Sequence, residues 1–260
     1  MKMRRLLIPV LILSFASAWA GVKIKMESQV EGQKQIRTGW LYIGDENRLR
    51  IDADVDDSGQ PENTVVFRGD LQAMYMIDHG EQAYVRIDEE RIAVLSERFA
   101  QAMQQMEEQL AQLPEHQRKI MQDMMNKNRP QNEEFRVDVR GVGEEDGFNK
   151  YEVWIGDTKR SEVWVTPPAE MNIPAESVQV FRNMSNFYEQ LLSTFRNNPM
   201  MQTIGENPFP GFTQMNGFPV RIFHLEERQE TRFSKAEAGE LDPAQFEPPP
   251  DYIEMRPDFQ

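Results

Sequence analysis

The sequence predicts an α+β fold: an antiparallel β-sheet of about eleven strands with a helical hairpin and a third helix packed on it. Short runs of alternating apolar and polar residues recur between tight turns, which is the pattern of a sheet with one buried face. Residues 89–128 then change to a helical spacing with a proline in the middle, and residues 174–196 carry another helical stripe. These observations predict a single α+β domain over residues 21–242, followed by an extended proline-rich tail, residues 243–260.

The first predicted strands form a meander, because each run ends in a turn and the next begins within a few residues. Gly44–Asn47 and His79-Gly80 are examples of such turns. The expected strands of this half are Val22–Val30, Ile36–Ile43, Arg48–Ala53, Thr64–Arg68, Ala73–Asp78 and Ala83–Ile87. The later strands are expected at Phe135–Arg140, Lys150–Ile155, Glu162–Thr166, Val220–Leu225 and Thr231–Lys235.

The helical hairpin is predicted from apolar residues three or four positions apart. The first stripe consists of Ile92, Leu95, Phe99, Met103, Met106, Leu110 and Leu113. Pro114 ends this helix and begins a second one, with Met121 and Met124 on its stripe, that finishes near residue 128. The third helix, over Ala175–Phe195, carries an apolar stripe of the same spacing.

Residues 1–20 resemble a secretory signal peptide. Lys2, Arg4 and Arg5 precede the apolar run Leu6–Phe15, and Ala18-Trp19-Ala20 offers small residues for cleavage after Ala20. A retained anchor is the alternative, but the run is shorter than the roughly 20 residues that span a bilayer. We therefore expect a periplasmic protein without stable membrane insertion.

Composition excludes several classes of partner and chemistry. The net charge is −14, so phosphate backbones repel the protein and nucleic acid is not an expected partner. The chain has no cysteine, which removes disulfides, thiol nucleophiles and a lipidated thiol. No cofactor is expected.

Motifs for metal binding or catalysis are weak. Asp52–Gly59 places carboxylates at alternating positions, as a calcium loop does, but lacks the glycine and glutamate of that loop, so a solvated acidic loop is the other interpretation. His79, His116 and His224 are scattered without a ligand spacing. We predict no metal site and no catalytic residues, and hence no enzyme.

The 16 methionines and the strand aromatics are the remaining functional candidates. Thioethers can bind copper(I), yet the methionines of the hairpin share stripes with leucine and phenylalanine, which favours a core or the wall of an apolar groove. The aromatics could likewise fill a core or line a cavity. The candidate ligand-lining residues are Trp40, Tyr75, Phe99, Met103, Met106, Met121, Met124, Trp154 and Trp164.

Several short stretches, together with the order of elements, resemble domain of unknown function family 4412, an exported family with an outer-membrane lipoprotein carrier (LolA/LolB-like) fold. The stretches that carry the resemblance are Arg48-Leu49-Arg50-Ile51-Asp52, Met74–Asp78 with Ala83-Tyr84, Leu113-Pro114-Glu115-His116-Gln117-Arg118, Glu162-Val163-Trp164-Val165, Gly217-Phe218-Pro219-Val220 and Phe246…Pro248…Tyr252. The family tends to end in Pro-x-Gly-Tyr, where this chain has Pro249-Pro250-Asp251-Tyr252. The resemblance implies a curved open sheet, a half-barrel, with an apolar hollow for acyl chains.

The leading functional hypothesis is therefore a non-enzymatic periplasmic binding protein. It would hold a hydrophobic ligand (an acyl chain, a lipid or a lipidated protein) in the concave face of the sheet, with the hairpin as lid or lining. The first alternative is a protein-interaction or envelope-stress module that acts through the hairpin. An unrecognised hydrolase is the third hypothesis.

Overall fold

The computed structural model describes residues 20–45, 47–119, 136–195 and 211–255. Strands of the first half are β1 (Ala20–Val30), β2 (Ile36–Gly44), β3 (Arg48–Val55), β4 (Pro61–Arg68), β5 (Ala73–Asp78) and β6 (Ala83–Asp88). The second half contains β7 (Val137–Glu145), β8 (Phe148–Ile155), β9 (Thr158–Thr166), β10 (Phe218–His224), β11 (Gln229–Phe233), β12 (Glu237–Glu240) and β13 (Ile253–Glu254). The two long helices are α1 (Glu89–Gln112) and α2 (Gln179–Phe195), and short 3-10 helices lie at Pro168–Met171, Ala175–Val178, Phe212–Gln214 and Pro243–Phe246.

All of these strands belong to one sheet in the order β13-β6-β5-β4-β3-β2-β1-β11-β10-β9-β8-β7, and β12 pairs with the first residues of β1. Neighbours are antiparallel except for β13, which runs parallel to β6. In the described residues β7 and β13 lie at opposite ends of the strand order, so the sheet is open. This agrees with the predicted α+β class built on an open antiparallel sheet.

The count of described strands, 13, exceeds the predicted eleven. β12 and β13 are the two missed strands, with four and two residues. Their sequences, Glu-Ala-Gly-Glu and Ile-Glu, are too short for a period of two to be visible. Backbone pairing with a neighbouring strand, not apolar alternation, makes these residues extended.

Helix α2 packs on one side of the sheet, which we call the inner face. Phe181, Met184 and Leu191 are at most 1% exposed, and their spacing of three to seven residues keeps them on one side of the helix. They meet inward side chains from both halves of the sheet, such as Leu41 and Val165, in the main hydrophobic core. The opposite side of the sheet is the outer face.

Helix α1 follows β6 directly. The Asp88 carboxylate caps it by accepting a hydrogen bond from the Arg91 backbone N–H at 2.9 Å. Leu113 adopts an extended conformation before Pro114, and residues 115–119 are helical again. The rest of the predicted hairpin, with Met121 and Met124, lies outside the described residues.

Candidate functional site

A row of apolar side chains crosses the inner face of strands β1 to β6. Its members are register partners, each paired with the next: Ile24, Leu41, Ile51, Val65, Met76 and Val85. Ile24 and Leu41 are fully buried beside α2. Ile51, Val65 and Val85 are only partly buried and Met76 is 37% exposed. We call Ile51, Val65, Met76 and Val85 the apolar strip.

The strip begins where cover by α2 ends. In the next row of the same face, Leu49, Phe67 and Met74 are almost completely buried, and the Phe67 ring packs on Phe187 of α2 at 5.8 Å between centroids. On α1, Ile92 is buried and Leu95 is partly buried against the core, while Val94 is 46% exposed. The strip is therefore a continuation of the core that the described residues cover only in part.

The five predicted lining residues whose side chains the structure describes, Trp40, Tyr75, Met106, Trp154 and Trp164, do not lie together. Trp40, Trp154 and Trp164 lie on the outer face, and each has a cation over its ring: Lys23 at 3.6 Å, Arg140 at 4.4 Å and Arg221 at 3.6 Å respectively. Strand alternation explains this placement, because their neighbours Leu41, Val153 and Val165 occupy the inner face. These tryptophans therefore do not line the strip.

The other candidates lie on the outer face, on helix α1 or outside the described residues. Tyr75 is buried, but in a second apolar cluster on the outer face. Met106 is partly buried on α1. Phe99 and Met103 also belong to α1, but their side chains lie outside the described part of the structure. Met121 and Met124 lie outside it altogether. The strip residues were not among the predicted ones, because the alternation of apolar and polar residues in β3 to β6 is the same for a covered and for an exposed part of a sheet face.

A small pocket is also present at the beginning of α2. It measures about 180 Å³ and is bounded by Val178, Arg182, Phe212, Met215 and the neighbouring loops. The volume is well below the range of roughly 300–1,000 Å³ that is typical of ligand sites. It is too small to hold an acyl chain.

The outer face of the first half is covered by residues 241–255, which we call the C-terminal segment. Phe246 is completely buried in the second cluster, which also contains Val66, Tyr75 and Ile77. The Arg50 Nη1 donates to the Gln245 carbonyl oxygen at 2.8 Å, and Arg68 pairs with Glu247. The segment is thus held by the buried Phe246, by Leu241 and Tyr252 packed against the same cluster, and by arginines of β3 and β4.

Two arginines of these strands share a carboxylate. Arg48 and Arg68 are register partners, and both are paired with Asp70, with Arg68 binding it through Nε and Nη2 at 2.8 and 2.7 Å. Hydrogen bonding by Arg68 lowers the pKa of the Asp70 carboxyl below its ordinary value. The pair of arginines therefore needs no external anion.

A line of hydrogen bonds joins β3 to the C-terminal segment through His79. The Thr64 hydroxyl donates to Asp52 Oδ1 at 2.6 Å and lies 2.9 Å from His79 Nε2. His79 Nδ1 lies 2.9 Å from the Tyr252 hydroxyl, and the two rings meet edge to face. Burial, and next the charge of Arg50, lower the pKa of His79 below its ordinary value of 6.5, despite Asp52 and Asp78, which act in the opposite direction.

The acidic loop uses its carboxylates for its own structure. Asp56 Oδ1 accepts from the Ser58 N–H, the Ser58 hydroxyl and the Gln60 N–H at 2.7 to 2.9 Å, and these bonds lower its pKa. Asp54 pairs with Arg37, and Asp52 pairs with Arg50. Within the described ranges no cluster of three or more His, Cys, Asp or Glu residues could hold a metal ion. The geometry does not favour the calcium loop, and it places Asp52 and Asp54 on β3, with Asp52 buried, so that only Asp56–Gly59 form an exposed turn.

No family model matches the chain, and no curated protein does. Solved structures that are similar to it include two with low TM-scores. One is an uncharacterized conserved protein from Thermus thermophilus, with 9% identity and a TM-score of 0.42 over 91% of this chain and 90% of that one. The other is a LolA superfamily protein from Nitrosomonas europaea, with 9% identity and a TM-score of 0.29 over 88% of each chain. Both scores are too low for a shared fold to be inferred from them.

Proposed function

We propose that the protein is a non-enzymatic periplasmic binding protein that holds a hydrophobic ligand against the apolar strip. The ligand would be an acyl chain, a lipid or the lipid moiety of a lipidated protein. The observation that supports this function is the partial exposure of Ile51, Val65, Met76 and Val85, which continue a row of fully buried core residues. The sequence resemblance to the LolA/LolB-like fold points to the same class of ligand.

The strip has suitable dimensions and chemistry. Its side chains come from four adjacent strands, whose spacing of roughly 4.8 Å gives a length of about 14 Å across the sheet. Aliphatic side chains and a thioether offer no hydrogen bonds, so they select for apolar surface without fixing the headgroup of a ligand. Each methylene that leaves water for such a surface contributes about 0.8 kcal/mol.

The non-enzymatic part of the proposal rests on the position of His79. It lies on the outer face, opposite the strip, and both of its ring nitrogens are engaged by Thr64 and Tyr252. A general base must reach the proton that it removes. A ligand on the strip would be separated from this imidazole by the sheet itself.

The periplasmic part rests on the signal-peptide pattern of residues 1–20, of which 1–19 lie outside the described residues. Among the helices that the structure describes, none combines the length and hydrophobicity needed to cross a membrane. A carrier of lipids between membranes would need only transient contact with either surface.

A binding assay with a fluorescent palmitate analogue tests the proposal. Met76→Glu places a carboxylate in the middle of the strip and should weaken binding at least about tenfold, or ~1.4 kcal/mol. Val142→Glu is the matched control, because Val142 is 50% exposed on β7, at the far end of the sheet. Equal affinity of the two variants would contradict the proposal. Specific crosslinking of a protein through α1, with no uptake of the palmitate analogue, would support the interaction module instead.

A further inference from the structure

The last residues of the C-terminal segment are held more weakly than Phe246. Residues 249–255, which we call the latch, pair with β6 in parallel, and the backbone hydrogen bonds include those from Ile253 N–H to the Gln82 carbonyl at 3.0 Å and from Met255 N–H to the Tyr84 carbonyl at 2.8 Å. Ile253 is 72% and Met255 is 45% exposed, whereas Tyr252 is partly buried against the second apolar cluster. Glu254 adds an ion pair with Arg91. Tyr252 also binds His79 through its hydroxyl.

The direction of each hydrogen bond around His79 follows from its partners. A carboxylate only accepts, so the Thr64 hydroxyl donates to Asp52 and must accept from His79 Nε2–H. In the neutral ring Nδ1 is then a bare acceptor, and the Tyr252 hydroxyl donates to it. The neutral tautomer with its proton on Nε2 is the form of His79 that satisfies every group in the line.

We propose that residues 249–255 form a pH-sensitive latch: they are docked on β6 while His79 is neutral, and they undock when His79 gains a proton, while Phe246 keeps the preceding residues in place. Protonation puts a hydrogen on Nδ1 that faces the Tyr252 hydroxyl, which must turn its own proton away. It also creates a charge in a half-buried position beside Arg50. Tyr252 carries both the hydrogen bond to His79 and the packing of the latch on the second apolar cluster, so a disturbance at this residue weakens the docking of the whole latch.

The charged and titratable groups around His79 come from three directions. Arg50 on β3 opposes its protonation, whereas Asp52 on β3 and Asp78 in its own hairpin favour it. Tyr252 approaches from the latch, and β4 contributes the Thr64 hydroxyl together with the Glu62 carbonyl that accepts from the His79 backbone N–H. Burial and Arg50 outweigh the two carboxylates, so the pKa of His79 lies below 6.5 in the folded protein.

The sign of the pH dependence follows from this lowered pKa. Well above pH 6.5 the imidazole is neutral in both docked and undocked states, and the latch has its full stability. As the pH falls below that value, the undocked state binds a proton more readily than the docked state. The population of the docked latch therefore decreases progressively with falling pH.

A spin label at position 253 measures docking in the full chain. The protein has no cysteine, so Ile253→Cys provides a single site, and the high exposure of Ile253 leaves room for the label. Between about pH 8 and about pH 5, the range in which histidine titrates, the mobile fraction of the label should rise several-fold. Far-UV circular dichroism should stay constant over the same range.

Two histidine variants make the test specific. His79→Gln keeps a neutral donor and acceptor and should abolish the pH dependence of the label. His116→Gln, at an exposed histidine after α1, should leave it intact. The proposal is overturned if the mobile fraction does not change with pH, if the transition persists in His79→Gln, or if the whole protein unfolds in the same range.

Discussion

His79 and Tyr252 are 173 positions apart in the sequence, yet His79 Nδ1 lies 2.9 Å from the Tyr252 hydroxyl. The contact joins the turn between β5 and β6 to the end of the chain. It lies on the outer face, whereas the apolar strip lies on the inner face of the same strands. The two faces of this half of the sheet therefore carry separate features that can be tested one at a time.

Tyr252→Phe should lower the free energy of unfolding by about 1 kcal/mol, because it removes a donor from a half-buried imidazole. Urea denaturation near neutral pH, where His79 is neutral, measures the change. Tyr84→Phe is the matched control in the same aromatic cluster, since Tyr84 takes no part in the line of hydrogen bonds from Asp52 to Tyr252. A loss as large in the control would contradict the role of the Tyr252 hydroxyl.

Phe246→Ala should be strongly destabilising, by roughly 3–5 kcal/mol, because the ring is completely buried and leaves a cavity when it is removed. Ile253→Ala, in the same segment but 72% exposed, should change the stability by less than about 0.5 kcal/mol. Thermal and urea unfolding of both variants give the comparison. Similar values would mean that the segment is not anchored through Phe246.

Gly44 and Phe246 should be energetically coupled. A Cβ at Gly44 would lie 2.7 Å from the Phe246 ring, so Gly44→Ala should cost about 1–3 kcal/mol in the presence of that ring. In a Phe246→Leu background, where a smaller side chain leaves space, the same substitution should cost less. A double-mutant cycle measures this difference. Additive effects would show that the crowding is relieved elsewhere.

Tyr188 should make the protein sensitive to alkaline pH. Burial raises the pKa of this core tyrosine to about 12. Because the raised pKa favours the protonated form in the folded state, its stability contribution is complete below pH 10 and is lost as the pH rises towards 12, by up to roughly 2–3 kcal/mol.

Tyr188→Phe should flatten this part of the stability profile between about pH 9 and about pH 11, measured by urea unfolding at each pH. Absorbance titration of the folded wild type should show a tyrosine that ionises only near pH 12, and this component should be missing from Tyr188→Phe. An unchanged slope in the variant would contradict the assignment.

Neither added calcium nor a chelator should change the thermal stability of the protein. Since Asp52, Asp54 and Asp56 are bound to Arg50, Arg37 and their own loop, binding calcium would require these contacts to break. Thermal unfolding with a chelator and with millimolar calcium should give the same Tm. A saturable rise of Tm with calcium, abolished by Asp56→Asn, would restore the calcium interpretation.

Local pattern predicted the sheet well because the inner face is consistently apolar. In β1 to β3 the inner residues alternate mostly with polar or aromatic ones, and Ala73–Asp78 was predicted with the bounds that the structure shows. The local sequence pattern did not predict a strand whose extended conformation depends on pairing with residues distant in the sequence. β13 is extended because of Gln82 and Tyr84, and no property of Ile253-Glu254 itself indicates this.

The candidate site was predicted less well, for a different physical reason. Tryptophan beside lysine or arginine can be buried by stacking on those cations, as Trp164 is between Lys150 and Arg221 on the outer face. Aromatic content alone therefore does not distinguish the two faces of a sheet. The alternation of side chains along a strand does distinguish them, because Trp40 and Leu41 are adjacent in the chain and must point to opposite faces.

Strand β1 has a consequence for how the chain acquires its structure. It pairs with β2 on one side and with β11 and β12 on the other, so residues at the beginning and near the end of the domain meet in the middle of the sheet. Until β11 has been synthesised, one edge of β1 has no partner strand. The pairing of β1 with β11 also requires the whole chain between them to close as a long loop. Folding should thus be slow and non-local, and the unpaired edge of β1 is where a chaperone would protect an incomplete chain.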